Sequence, residues 1–460
     1  MFDFLKEKQV SEKRERRKDG CADRLSLLPD PLLCQILLNL PTKDVVKTSL
    51  LSTRWRSLYL SVPVLELDDD AFLNYSAFVD FVDRFINFSP ESPIDKLKLT
   101  STCDPLAINT WIDAVVTRKI QHLEIDYSRI GIEFELLSKI LFMCQTLVCL
   151  RLHSVALTDF STVSLPRLKT MNLEEVSFVN PAAIETLIAS CPVLEDLSII
   201  TGQEDLTVIR VCSQTIIRLS LVLDVVGHHL WDVVNSEIVI DAPRLKYLCL
   251  RDNQSTVFTI NSLCSSAEVD IAVDFHVKDV LETNDSAKRT SIGNFLARIS
   301  NVGNMTVCSK TLKVIRQYCQ LEPLPQFCFM SQLHAKIFAA DLELLPDLLE
   351  SCPNLKSLVL ELDGTIKKND QISFSSVPWC LRSCLERVEM KKPIAGFEVE
   401  MKLIRYFLEN STVLKELTLS LGCPKMKQES FIFMELLSFR RCSSACEVNV
   451  VGLEETLMKL

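Results

Sequence analysis

Along residues 23–60 the apolar positions recur at helical spacing. Leu32, Leu33, Ile36, Leu37 and Leu40 fall three and four residues apart, with Gln35 and Asn39 off the stripe, which predicts a helix. Asp30 is expected to cap its start, Pro31 suits the first turn, where a missing N–H costs nothing, and Pro41 ends the run. Thr42 is expected to cap a second helix carrying Val45, Val46, Leu50 and Leu51, and a third short piece from Ser52 holds Trp55 and Leu58 among Arg54 and Arg56. Three short helices cannot bury this many Leu, Ile and Val side chains among themselves, because small domains hide a smaller share of their surface. The excess predicts a partner; the plainer alternative is an N-terminal cap packed on the rest of the chain.

From residue 62 the pattern changes. An L-x-x-L-x-L spacing recurs in degenerate form as Ile94/Leu97/Leu99, Ile120/Leu123/Ile125, Leu147/Leu150/Leu152, Leu168/Met171/Leu173, Leu194/Leu197/Ile199, Ile216/Leu219/Leu221 and Leu245/Leu248/Leu250. It returns as Leu355/Leu358/Leu360, Leu385/Val388/Met390 and Leu414/Leu417/Leu419, and is blurred between about 255 and 345. The early steps are 26, 27, 21, 26, 22 and 29 residues, a cadence that means repeats. In each strand the last two apolar residues point to one side and the residue between them to the other. Amphipathic helices are expected between strands, one opened by Asn180 and Pro181 and one by Pro346, both leading into a Ser-Cys-Pro-x-Leu return at 190–194 and 351–355. The outward residues Arg151, Asn172, Ser198, Ser220, Cys249, Val359 and Thr418 form a mixed, small and nearly uncharged set that fits a protein or peptide surface.

Composition removes several classes of activity. The ten glycines include no two closer than Gly293 and Gly303, which excludes GxGxxG, GxxxxGK[ST] and GxSxG. No HExxH occurs, the adjacent His228 and His229 near Trp231 read as a loop pair, and no metal or cofactor site is expected. A net charge of −10 argues against a general nucleic-acid binder. The chain opens without the apolar stretch of a secretory signal, and no apolar run approaches a membrane span, so a cytoplasmic or nuclear protein with no membrane contact is expected. The eighteen cysteines then read as reduced thiols, with Cys149, Cys191, Cys249 and Cys352 inside aliphatic runs as core filler. Residues 1–22, with Lys13, Arg14, Arg16, Arg17 and Lys18 among acids, carry too little apolar surface to order themselves and read as a charged, flexible tail.

The run Asp23-Arg24-Leu25-Ser26, Leu28-Pro29-Asp30, Leu32-Leu33, Ile36-Leu37, Leu40-Pro41-Thr42-Lys43-Asp44, Val46, Thr48-Ser49-Leu50-Leu51-Ser52 and Arg54-Trp55-Arg56 resembles the F-box of plant F-box proteins. The repeats resemble the irregular leucine-rich repeats that follow it in that family, although Val155 and Val176 stand where regular repeats carry Asn. Residues from Cys380 to Leu417, including Gly396, Glu400, Met401, Tyr406, Phe407, Asn410 and Ser411, resemble the family's FBD domain or, equally, the last repeats closing the core. The resemblance implies an α/β fold: a short all-helical F-box module followed by a solenoid with parallel strands on the concave side and helices on the convex side. The expected domains are the tail at 1–22, the F-box at 23–61, repeats at 62–375, the FBD block at 376–447 and a C-terminal tail at 448–460.

It also implies a non-catalytic substrate-recognition subunit of a Skp-cullin-F-box ubiquitin ligase. The partners would be a Skp-family adaptor, through it a cullin scaffold, and an unknown target protein. Leu28, Pro29, Leu32, Leu33, Ile36, Leu37, Leu40, Val46, Leu50 and Trp55 would form the adaptor face, with Trp55 open to a role in the module's own core. The alternative is a repeat scaffold that binds proteins outside any ligase.

Overall fold

The computed structural model describes residues 25, 27–88, 93–102, 104–128, 134–136, 138–157, 162–178, 182–202, 208–223, 236–261, 263–277, 281, 285–364, 372–374, 376–421 and 426–452. The expected tail at 1–22, Asp23, Arg24, Ser26, Asn180, Pro181, the pair His228 and His229 with Trp231, and residues 453–460 lie outside them. The chain divides after Ser198 into two compact units.

The first unit begins with helices α1 (Asp30–Leu37), α2 (Thr42–Lys47) and α3 (Trp55–Leu58). The chain then enters the strand β1 (Val64–Asp68), which starts a parallel sheet continued by Lys96–Thr100, His122–Asp126, Cys149–His153 and Thr170–Glu174. The register is one residue deep and constant. Leu65 stands beside Leu97, Leu97 beside Leu123, Leu123 beside Leu150 and Leu150 beside Met171, so each strand adds one rung to a common apolar ladder. Parallel pairing requires a crossover between neighbours. In this unit the helices Tyr75–Phe88, Pro105–Thr117 and Ala182–Ala189 supply some crossovers, and the short strands Phe134–Leu136, Val155–Leu157 and Ser177–Phe178 form a small second parallel ladder.

The second unit repeats the plan. Leu219, Leu248, Val269, Met305, Leu333, Leu358, Val388, Leu417 and Val448 succeed one another in register across nine parallel strands. A smaller parallel sheet of Val208–Cys212, Ser236–Asp241 and Ser255–Asn261 takes the place of helices early on, and the helices Ser286–Ile299, Ser309–Cys319, Glu398–Asn410 and Met426–Ser438 follow.

All ten triplets read from the sequence are buried, none of their residues more than 3% exposed. The blurred stretch holds further rungs: Val302/Met305/Val307 and Met330/Leu333/Ala335 occupy the same positions. They escape a leucine pattern because Met, Val and Ala fill the sites. Val62/Leu65/Leu67 supplies the first rung, and Val155 and Val176 are fully buried where regular repeats carry Asn. The expected tail at 448–460 starts inside the last strand, Glu447–Gly452, because Val448 and Val450 continue the alternation. No helix among the described residues is long and apolar enough to cross a membrane.

Candidate docking face of the N-terminal module

Helix α1 has eight residues and apolar side chains on two adjacent ridges. Leu33 and Leu37, one turn apart, are 0% and 1% exposed and meet Val45, Trp55, Leu58 and Val62 in a small core, with Leu28, Cys34, Tyr59 and Val64 packed at its margin. Leu32 and Ile36 sit on the neighbouring ridge, about 100° round the helix. They stay 44% and 40% exposed, as do Leu40 at 42% and Leu50 at 57%. Complete burial of such a side chain stabilises by about 1.5–3 kcal/mol, so each half-bare one leaves roughly 1 kcal/mol unrealised in the free chain.

Two predicted caps have other duties. The N-cap of α1 is Pro29, in extended backbone; Asp30 is the first helical residue, and its carboxylate accepts from Arg54 Nη2 at 2.6 Å and Nε at 2.9 Å. Arg54 also donates to the Leu28 carbonyl, tying both ends of the module together. Pro41 precedes α2 in the same way, and the Thr42 hydroxyl accepts the Glu66 N–H of β1 at 2.8 Å instead of capping its own helix. Proline at the cap position leaves both side chains free for tertiary work. Burial, then Asp30, pushes the Cys34 thiol above its ordinary range.

Of the ten residues read as the adaptor face, Pro29, Leu32, Ile36, Leu40 and Leu50 are exposed, Leu28 and Val46 are half-buried, and Leu33, Leu37 and Trp55 lie in the core. Trp55 therefore belongs to the module's interior. Four more leucines outside that set are exposed, Leu25, Leu27, Leu38 and Leu51. Leu25 and Leu51 were visible in the motif; Leu27 and Leu38 carry no periodic signal.

The outward strand residues are placed as alternation predicts, but the row is more charged than seven of them imply. In the first unit Glu66, Lys98, Glu124, Arg151 and Asn172 stand side by side. Lys98 Nζ lies 2.6 Å from Glu124 and Arg151 3.7 Å from the same carboxylate, so the charges largely cancel along the row. The hydrogen bond to Glu124 holds the Lys98 ammonium above its usual range. Arg151 is exposed, Asn172 and Ser198 half-buried, and the Asn172 Oδ1 is covered without a hydrogen-bond partner. In the second unit Ser220, Val359 and Thr418 are half-buried, while Cys249 is buried beside Asp270, which Arg251 pairs at 3.0 Å. The Cys249 thiol is raised by burial and by Asp270. Asp270, His334 and Glu389 share that row, and burial together with Lys391 lowers the His334 imidazole.

Helices with a bare apolar ridge, joined to parallel leucine ladders, are the build of an F-box leucine-rich-repeat protein. Family comparison agrees segment by segment: the F-box domain matches residues 25–65, the repeats described as those of "FBD-associated F-box protein At5g56370" match 108–327, and FBD matches 371–419. The chain is 48% identical over 444 residues to F-box/FBD/LRR-repeat protein At5g22660 of Arabidopsis thaliana, covering 95% of this chain and 98% of that one. It is 51% identical over 436 residues to the putative F-box/FBD/LRR-repeat protein At5g22670 of the same organism, covering 93% and 97%. F-box/LRR-repeat protein 13, also from Arabidopsis thaliana, is 42% identical over 439 residues, covering 93% and 96%. The chain belongs to the plant F-box/FBD/leucine-rich-repeat family.

Proposed function

We propose that this protein is the non-catalytic substrate-recognition subunit of a Skp-cullin-F-box ubiquitin ligase. Its F-box docks on a Skp-family adaptor, which carries the cullin scaffold, and its repeats hold a target protein. The observation that carries the reading is the bare ridge of Leu32 and Ile36, with Leu40 and Leu50 exposed as well, on a module whose core is already filled by Leu33, Leu37, Val45, Trp55, Leu58 and Val62. Membership of a family whose F-box domains generally bind such adaptors supports it. The role requires no chemistry of the receptor: holding a target near a conjugating enzyme raises its effective concentration there.

The adaptor face narrows to Leu28, Pro29, Leu32, Ile36, Leu40, Val46 and Leu50, and Leu33, Leu37 and Trp55 act by shaping it from beneath. Replacing Leu32 or Ile36 by Ala weakens adaptor binding by on the order of 2 kcal/mol each, about thirtyfold. A pull-down with purified adaptor in which Leu32→Ala/Ile36→Ala keeps full binding refutes the reading. The target-facing surface is the outward row of each unit: Arg151, Asn172 and Ser198 in the first, and Ser220, Cys249, Val359 and Thr418 in the second, each with the charged neighbours that share it.

A further inference from the structure

In the second unit, the ladder parts between the strands Ser357–Asp363 and Arg387–Ile394. Their pairing runs from Ser357 opposite Arg387 to Leu360 opposite Met390 and goes no further. The second of them also shifts register toward its other neighbour between Met390 and Ile394. The gap is a cavity of about 300 Å³ with walls that include Leu360, Leu362, Met390, Ile394 and Phe397.

Among the described residues that line it, Glu400 is the one acid and Lys392 the one base. Glu400, in the first turn of the helix Glu398–Asn410, is only 4% exposed. Its Oε2 accepts the Ala395 N–H at 3.0 Å and the Phe397 N–H at 2.9 Å. Both amides take the same oxygen, the Gly396 amide between them is a weaker donor to the carboxyl, and Oε1 accepts no other hydrogen bond from the described residues. At the mouth Lys392 Nζ lies 3.5 Å from Asp363 Oδ1, and the Ser309 hydroxyl donates to the same Asp363 carboxylate at 2.6 Å. That pair balances itself, which leaves Glu400 as the charge without an ion pair among the described lining residues.

Closing the helix start accounts for the bonds to Oε2 but not for the hole beside them. A purely apolar occupant would leave a buried carboxyl oxygen without a partner, and an anion would be repelled. An aliphatic stem ending in a cation satisfies both the walls and the acid. A single available oxygen suits the compact ammonium of lysine better than the planar fork of arginine, which favours two.

We propose that this cavity is a pocket for one lysine side chain of the bound target, its methylenes against Leu362 and Met390 and its ammonium on Glu400 Oε1. The assignment to a target rests on the reading of the repeats as the target-holding part; the pocket is tested without adaptor or ligase, so the two fail separately. The full chain is prepared with methyl-13C methionine, the Met390 signal is identified with Met390→Leu, and Nα-acetyl-lysine N-methylamide is titrated beside its norleucine and arginine counterparts. The expected result is a saturable shift of the Met390 methyl with lysine, with norleucine and arginine weaker by roughly tenfold or more. Glu400→Gln, which keeps an acceptor for both amides, and Leu362→Trp, which fills the hole away from the acid, each abolish the shift. An unmoved Met390 signal, norleucine or arginine titrating as well as lysine, or a shift that survives Glu400→Gln overturns the proposal.

Discussion

Leu32 and Leu33 are the same residue type on the same helix, and their fates are opposite. Leu33 fills the module's core and Leu32 faces water, because one step along a helix turns the side chain by about 100°. Their substitutions should separate cleanly. Leu33→Ala empties a buried site and is expected to cost about 2–5 kcal/mol of stability. Leu32→Ala removes a half-exposed side chain and is expected to cost about 1 kcal/mol or less. Denaturant titration of the two variants checks this, and equal losses would mean that Leu32 is packed in the free chain. The sequence showed the stripe but not which ridge turns inward, since that depends on where α2 and α3 sit against α1. For the same reason the motif does not settle the side of Trp55, and it gives Asp30 and Thr42 the look of caps although Arg54 and Glu66 hold them.

At the scale of elements, the last helices show how local rules and tertiary packing divide the work. Gly396 has φ +81°, and a Cβ there would meet Ile432 Cγ1 at 3.1 Å. Gly396→Ala is therefore expected to destabilise by about 1–3 kcal/mol, read as a lower melting temperature. Four residues later, burial holds the Glu400 carboxyl above its ordinary value of 4.5, against the lowering effect of the Phe397 and Ala395 amides. A raised carboxyl binds its proton more readily when folded, so its contribution is present below the unfolded value and is lost as pH climbs through the folded one. Glu400→Gln removes that loss. Its melting temperature should gain on the wild type as pH rises from about 4.5 toward neutrality, and a constant difference between the two would show that Glu400 does not titrate differently on folding. The repeat strands were legible because alternation is a property of the strand itself; the rungs at 302–307 and 330–335 were not, because Met and Ala satisfy the same packing without the leucine signature.

At the scale of the whole molecule, the cysteines test the fold of both units. Among the described residues fifteen cysteines are free thiols. Burial raises Cys191 and Cys352 to about 12, while Cys212, Cys264, Cys328 and Cys442 are exposed. Thiol titration of the native chain near pH 8 should label those four quickly and leave Cys191 and Cys352 unreacted until denaturant is added. Rapid modification of Cys352 would mean that the ladder around it opens. Cys149, read as core filler with Cys191, Cys249 and Cys352, is half-buried, because it stands on the outward side of its strand. The sequence placed these residues in aliphatic runs; Cys191 and Cys352 are buried just ahead of their strands, while Cys149 and Cys249 both stand on outward sides and only Cys249 is covered, beside Asp270.

What the sequence alone determined is whatever repeats or follows from local geometry: the helical module, the strand at each leucine triplet, the inward side of each rung and the family. Those features depend on side-chain type and on spacing within one element. Tertiary structure decided which ridge of α1 is bare, which polar side chains pair across elements, and where the ladder parts to leave a cavity beside Glu400. These depend on distances between residues far apart in the chain, which no local pattern contains.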